Sequence, residues 1–200
     1  MFASSSSRSL LPVPATACWA PVPRPVTDLI EHAERIWDQQ SAVGPAVVSL
    51  VHSNYYIAYH ALKQQLEELN RPGLRFVELG SGCGVVANLA AQLGFESQGI
   101  ELELHLCDFS RQLAMDSKLP TSFISCSYRD WEGGPCAELS VQAQAGFEAL
   151  CAADVVYGYP WPAEQAYLAS LVQRHCKHGA RYLTYHGGRN LHLQQVHAAI

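Results

Sequence analysis

Three glycines stand on alternate positions in the segment FVELGSGCGVV, which runs from Phe76 to Val86. Gly80, Gly82 and Gly84 directly follow one short apolar run and precede another. Glycine tolerates positive φ angles and lets a ligand approach the main chain closely. A strand, a glycine loop and a helix in this order form the usual ligand cradle of open α/β sheets. The spacing therefore predicts a small-molecule binding loop in this segment.

The spacing of the glycines also restricts the kind of ligand. The dinucleotide fingerprint GxGxxG needs a small residue five places after its first glycine, and Val85 occupies that place here. Glu78, an acid two positions before the first glycine, repels a pyrophosphate and attracts a cation. The pattern argues against a nicotinamide cofactor and favours a ligand that carries positive charge.

Alternating strands and helices are predicted around this loop. The five predicted strands cover 74–79, 96–102, 121–127, 151–158 and 180–187. The six predicted helices cover 27–40, 51–69, 85–94, 105–116, 162–179 and 191–199, the first of them capped by Thr27. A loop is predicted from Trp131 to about Gly146. This alternation predicts a three-layer α/β/α sandwich with a mainly parallel sheet.

Composition excludes several classes of protein. With 13 Lys and Arg against 18 Asp and Glu, a net charge of −5 and no basic run, the chain lacks the electrostatic face of a nucleic-acid binder. No stretch of 18 apolar residues occurs, so we expect no transmembrane helix. The seven cysteines are scattered without a CxxC pair, which is typical of reduced thiols in a cytoplasmic protein. We expect no metal site.

One resemblance is specific. The stretch FVELGSGCGVVANLAAQLGFESQGIELE resembles the opening of class I S-adenosylmethionine-dependent methyltransferases, whose first motif runs acid-x-Gly-x-Gly-x-Gly. The resemblance implies a Rossmann-like sheet and S-adenosyl-L-methionine as cofactor. It places Gly80, Ser81 and Gly82 along the methionine moiety, completes the loop with Gly84, and sets Glu78 near the amino group.

The same resemblance assigns three residues to the nucleoside. Glu101, at the end of the second predicted strand, matches the acid that bonds both ribose hydroxyls. Asp130, in SYRDW after the third strand, matches the acceptor for the adenine amine, and the backbone N–H of Trp131 faces a ring nitrogen. A carboxylate is the natural acceptor for adjacent hydroxyls.

Aromatic residues follow the fourth predicted strand, where a transferred methyl group would emerge. Tyr159 and Trp161 are candidates for the acceptor wall, together with Tyr157. His186, after the fifth strand, is a candidate general base. Asp154 begins the fourth strand, either as a buried anchor or as a wall of the cofactor pocket.

The chain divides into three predicted regions. Residues 1–25 form a disordered Ser/Pro-rich tail, 26–73 form helices that cover the cofactor site, and 74–200 form the Rossmann-like S-adenosylmethionine-binding domain. Within the helical region, Asn54 and Tyr55 are candidates for a lid over the cofactor.

Two functions remain open at this stage. The favoured one is a methyltransferase acting on a small molecule or a protein side chain. Gly158-Tyr159-Pro160-Trp161 departs from the Asn/Asp-Pro-Pro-aromatic signature of amino-methylating relatives. The predicted last helix also leaves the usual C-terminal antiparallel hairpin unaccounted for and implies an open sheet edge that could join an oligomer. These departures favour the alternative, a catalytically silent binding or assembly module.

Overall fold

Strands and helices alternate along the chain in the computed structural model, which describes residues 9–10, 20–41, 51–131 and 139–197. The strands are β1 (Ser9–Leu10), β2 (Arg75–Leu79), β3 (Glu96–Glu101), β4 (Ser122–Ser125), β5 (Val155–Gly158), β6 (Arg181–Tyr185) and β7 (Leu191–Gln195). The α-helices are α1 (Arg24–Ser41), α2 (Tyr55–Leu69), α3 (Val85–Leu93), α4 (Leu104–Asp116), α5 (Val141–Ala152) and α6 (Gln165–His175). A 3₁₀ turn covers Tyr128–Trp131.

All these strands belong to one sheet, in the order β1-β7-β6-β5-β2-β3-β4. The five adjacent strands β6, β5, β2, β3 and β4 run parallel to one another, and β7 runs antiparallel to β6. The chain moves from β2 outward to β3 and β4, then returns to place β5 on the other side of β2. This reversal is a topological switch point, where open α/β sheets bind their ligands at the carboxyl ends of the strands.

Alternate residues of the central strands pack on opposite faces of the sheet. Phe76 and Val155 face a core that includes residues of α2 and α3, whereas Val77 and Val156 face one built with α5 and α6. Because all four side chains are fully buried, the sheet is covered on both faces. The predicted three-layer α/β/α class is confirmed.

The sequence prediction misses α5 and misplaces the start of α1. Residues 141–146 were expected in a loop and 151–152 in a strand, but they belong to α5, which Ser140 caps by accepting from the backbone N–H of Ala143 at 3.1 Å. Position 146 in this helix is a glycine because a Cβ there would stand 2.8 Å from both Cys126 and Trp131. The first helix begins at Arg24, so Thr27 is not its cap.

The predicted last helix is wrong. Residues 191–195 form β7, joined to β6 by a tight turn in which Gly187 and Gly188 both take positive φ. The backbone N–H of His186 donates to the carbonyl of Asn190 at 2.8 Å and closes the turn. A Gly-Gly pair between two apolar runs is a hairpin signal that outweighs the helical spacing. The C-terminal antiparallel strand is therefore present, and the expected open edge at β6 is occupied.

Part of the predicted N-terminal tail contributes to the sheet. Ser9 and Leu10 pair with Leu193 and His192, so that β1 covers the outer edge of β7. Residues 20–25 include the start of α1. The rest of the predicted tail, 1–8 and 11–19, lies outside the described residues.

Replacing Gly84 with Ala should destabilise the fold strongly. Gly84 has a φ of 67°, and an added Cβ would stand 2.5 Å from Cε1 of Phe123. Overpacking combined with the left-handed backbone should cost about 2–4 kcal/mol of unfolding free energy. Urea denaturation measures this loss.

The matched control is Gly94→Ala, where φ is 103° and an added Cβ meets nothing within 4 Å. Backbone strain alone should cost this variant about 1–2 kcal/mol. Equal losses in the two variants would contradict the packing role of Gly84.

Candidate functional site

A cavity of about 450 Å³ opens at the carboxyl ends of the parallel strands. Its wall takes residues from the ends of five strands and from the start of α6. The residues that line it include Gly80, Gly82, Glu101, Leu102, Leu106, Tyr128, Arg129, Tyr159, Trp161, Glu164 and His186. Two glycines of the predicted loop, the predicted ribose acid and three of the four acceptor-side candidates therefore meet in one cavity.

The glycine loop is tied to the end of β3. The backbone N–H groups of Gly80 and Ser81 both donate to the carbonyl of Ile100, each at 2.9 Å. Gly80 has a φ of 69°, and a Cβ built on it would meet no atom within 4 Å. Since Gly80 lines the cavity, the missing side chain leaves room for a ligand against the main chain.

Glu101 places a buried carboxylate beside this loop. One of its oxygens accepts from the N–H of Gly82 at 2.7 Å, and the other accepts from the N–H of Glu103 at 3.0 Å. The residue is only 8% exposed. A carboxylate offers about four acceptor positions, so two are left for ligand donors.

Glu78 lies behind the loop instead of in the cavity. It is 5% exposed and accepts from the N–H of Ala87, in the first turn of α3, at 2.9 Å. Burial raises the pKa of this carboxyl well above its usual range, although the bond from Ala87 opposes the shift. The structure does not bring Glu78 to the cavity surface, where contact with a ligand amine was expected.

Two further loop residues also face away from the cavity. Ser81 is buried, and its Oγ has no hydrogen-bond partner among the residues that the structure describes. Gly84 begins α3 and packs against the ring of Phe123. Ser81 and Gly84 therefore shape the loop from behind, and their contacts with a ligand remain predictions.

The two residues predicted to hold the adenine do not line the cavity. Asp130 is exposed within the 3₁₀ turn. Trp131 is fully buried, and its indole N–H donates to the carbonyl of Ala143 in α5 at 2.9 Å. The turn instead presents Tyr128 and Arg129 to the cavity.

Tyr128, Arg129 and Glu164 form a polar rim that the sequence did not reveal. Glu164 accepts from the guanidinium of Arg129 at 2.6 Å and from the hydroxyl of Tyr128 at 3.1 Å. Burial, followed by the charge of Glu164, raises the pKa of Tyr128, so its hydroxyl keeps its proton at neutral pH. The only local signal was the aromatic-basic pair in SYRDW, since Glu164 lies 35 residues from Arg129.

The acceptor-side candidates form the opposite wall. The ring of Tyr159 packs edge-on against Tyr185 with centroids 4.8 Å apart, while Trp161 is half-exposed. His186 lies 3.0 Å, through Nε2, from the hydroxyl of Thr184, and its ring stacks on His192. Tyr157 is a buried core residue whose hydroxyl donates to Ser53 at 3.0 Å.

Two other sequence candidates have structural positions. Asp154 precedes β5 at the amino end of the sheet, where it pairs with Arg71 and Lys177 and accepts from the N–H of Arg75, so it is an anchor. Asn54 caps α2 by accepting from the N–H of Ile57 at 3.2 Å. Neither Asn54 nor Tyr55 lines this cavity, although Val51 just before them does.

Comparison with known proteins identifies the architecture. No protein-family model and no curated protein matches the sequence. The structure superimposes on an RNA methyltransferase from Salinibacter ruber, in complex with S-adenosylhomocysteine, with a TM-score of 0.52, 16% identity, and coverage of 70% of this chain and 93% of the other. The O-methyltransferase TomG from Streptomyces achromogenes, in complex with S-adenosylmethionine, matches with a TM-score of 0.52, 12% identity, and coverage of 84% and 68%.

The chain has a class I methyltransferase fold. Identities of this size establish the class I architecture alone. None of the helices that the structure describes is long and apolar enough to cross a membrane. Across the same residues, no group of three His, Cys, Asp or Glu side chains is arranged to hold a metal ion.

Replacing Glu78 with Gln should change the pH dependence of stability. The folded state binds the Glu78 proton more tightly than the unfolded chain does, because burial raises the folded pKa. This contribution is complete below the unfolded pKa of about 4.3 and is lost as pH rises through the folded pKa. Above the unfolded pKa, Glu78→Gln should therefore gain stability relative to the wild type as the pH rises, by at most about 1.4 kcal/mol per pH unit.

Urea unfolding at several pH values tests this expectation. Glu96→Gln, which removes an exposed carboxylate from β3, is the matched control and should follow the wild-type curve. Parallel curves for Glu78→Gln and the wild type would show that Glu78 ionises freely in the folded chain.

Proposed function

We propose that the chain is an S-adenosylmethionine-dependent methyltransferase that acts on a small molecule or a protein side chain. The observation that carries this proposal is the junction of Gly80, Gly82 and the buried Glu101 carboxylate in one cavity. A carboxylate with unused acceptor positions beside an open glycine backbone suits a nucleoside with adjacent hydroxyls. The solved neighbours that hold S-adenosylmethionine or S-adenosylhomocysteine support the same ligand class.

The lining residues fit the parts of this cofactor. Glu101 would accept from the ribose hydroxyls, and Gly80 would leave room for the methionine chain. Leu102 and Leu106 offer apolar surface for the adenine, and Leu102 is 62% exposed in spite of its size. When bound, the cofactor supplies an electrophilic methyl group on a positively charged sulfonium.

The acceptor side would act mainly by positioning. Tyr159 and Trp161 form a wall stiffened by Pro160 and Pro162, and this wall excludes water from the reacting atoms. The ring faces also favour a methyl group that carries partial positive charge. His186, whose Nε2 lies 3.0 Å from the hydroxyl of Thr184, would accept a proton from the acceptor.

The alternative of a silent binding module has lost one of its two supports. It rested on a missing C-terminal strand and on an absent amino-methylating signature. Since β7 pairs with β6 over five residues, the first support no longer holds. The absent signature argues only against one class of acceptor.

Glu101→Gln should weaken binding of S-adenosylmethionine about 10- to 100-fold, because hydrogen bonds to a charged acceptor contribute about 1.5–3 kcal/mol. Calorimetric titration measures the affinity. Glu103→Gln is the matched control: its carboxylate also borders the cavity but is more than half-exposed, and the change should cost less than about threefold. Equal losses would mean that net negative charge, and not the position of Glu101, attracts the cofactor.

Methyl transfer itself is tested with radiolabelled S-adenosylmethionine and cell extract divided into small-molecule, protein and nucleic-acid fractions. Label should enter the small-molecule or protein fraction. Trp161→Ala should lower the rate about tenfold or more while cofactor affinity is kept, because the variant disturbs acceptor positioning alone. The control Val141→Ala removes an exposed apolar side chain that does not line the cavity and should leave the rate unchanged.

Cofactor binding without label in any fraction would support the silent module. Label confined to the nucleic-acid fraction would contradict the proposed acceptor class. Absence of cofactor binding by the folded wild-type chain would overturn the proposal as a whole.

A further inference from the structure

A second cavity, of about 330 Å³, lies between α1, the start of α2 and the first residues of α3. It shares no lining residue with the first cavity, although neighbouring residues divide between the two. Val51 and Gly82 line the first cavity, whereas His52 and Cys83 line the second. Its wall includes Glu34, Trp37, Asn54, Tyr55 and Tyr56 as well.

Aromatic rings set at steep angles form much of this wall. The rings of Trp37 and His52 meet at 82° with centroids 5.4 Å apart, and those of His52 and Tyr55 meet at 75° with centroids 6.1 Å apart. The Tyr55 hydroxyl lies 2.6 Å from Nδ1 of His52, which fixes both rings. Tyr56 adds a further ring to the lining.

The charge of this cavity is negative. Among the described residues that line it, Glu34 is the only acid and none is Lys or Arg. Within the described ranges, the carboxylate of Glu34 forms no ion pair, although its charge reaches both His52 and Tyr55. Burial lowers the pKa of His52 in spite of Glu34, and burial raises the pKa of Cys83 to about 12. At neutral pH, the side chains of His52 and Cys83 are therefore both uncharged.

We propose that this second cavity binds a methylated ammonium group on a small, choline-like solute. Ring faces attract a cation that lies within about 6 Å of their centroids, and the carboxylate of Glu34 supplies the counter-charge. A primary ammonium needs acceptors for three N–H groups, whereas a methylated ammonium needs only apolar or aromatic surface and one counter-charge. An anion would meet only the repulsion of Glu34.

The size and polarity of the cavity limit the occupant. Its volume is at the lower end of the range of ligand pockets, about 300–1,000 Å³, so the occupant is a small molecule. The side chain of Asn54 is engaged in capping α2, which leaves it less available to a polar ligand. Because the cavity does not use Glu101 or Gly80, we expect its occupant to leave the proposed cofactor in place.

The test is calorimetric titration of the full chain with choline and with its uncharged isostere dimethylbutanol, in which a carbon atom replaces the nitrogen. Choline should bind at least about tenfold more tightly than the isostere, as a desolvated cation–π contact requires. Equal affinities, or no heat from choline at millimolar concentration, would overturn the proposal.

Two variants locate the site. Glu34→Gln should weaken choline binding about threefold to tenfold and leave the isostere unaffected, whereas Glu31→Gln, one turn earlier on α1 and outside the cavity, should change neither. Trp37→Leu should weaken choline binding at least about tenfold. Glu34 is exposed, so its variant keeps the test valid even where Trp37→Leu fails to fold. Unchanged choline affinity in Glu34→Gln would overturn the assignment to this cavity.

Two further experiments distinguish a free choline-like solute from a ligand of the cofactor site and from a lipid headgroup. Saturation with S-adenosylhomocysteine should leave the affinity for choline unchanged, and competition between them would overturn a separate site. Phosphatidylcholine vesicles should not pull the chain down on centrifugation. Sedimentation with the vesicles, lost in Glu34→Gln, would contradict a free solute and indicate a lipid headgroup.

Discussion

The carbonyl oxygen of Ile100 fixes the geometry on which the site depends. It accepts from both Gly80 and Ser81 and so holds the glycine loop against the end of β3. In that position the N–H of Gly82 meets the carboxylate of Glu101, the next residue of the same strand. Loop and acid therefore behave as one unit, positioned by the register between β2 and β3. A slip of one residue would turn Glu101 to the other face of the sheet.

Local signals were enough to predict the parallel strands and the loop, but not α5 or β7. Largely apolar segments bounded by glycine specify β2 and β6 without reference to other elements. The residues of β7 carry two patterns, and pairing with β6 over five residues decides between them. In α5, Gly146 reads as a loop residue in the sequence, yet it is required where the helix passes close to Trp131.

The sequence predicted those site residues that directly follow a predicted strand or lie at its end. Gly80, Gly82 and Glu101 line the cavity as expected, and so do Tyr159, Trp161 and His186. Asp130 does not, because the 3₁₀ turn that buries Trp131 against α5 points its neighbour outward. The rim around Glu164 and the aromatic second cavity unite residues from distant helices, and no spacing within a single segment records such a meeting.

The pairing of β1 with β7 has a consequence for the order of folding. Ser9 faces Leu193 across the sheet, so this edge joins residues separated by nearly the whole length of the chain. Contacts of such long sequence separation form slowly, since a large loop must close before they contribute stability. The parallel strands from β2 to β6 are joined by contacts of shorter sequence separation and can assemble first. The pairing of β1 with β7 then completes the sheet last.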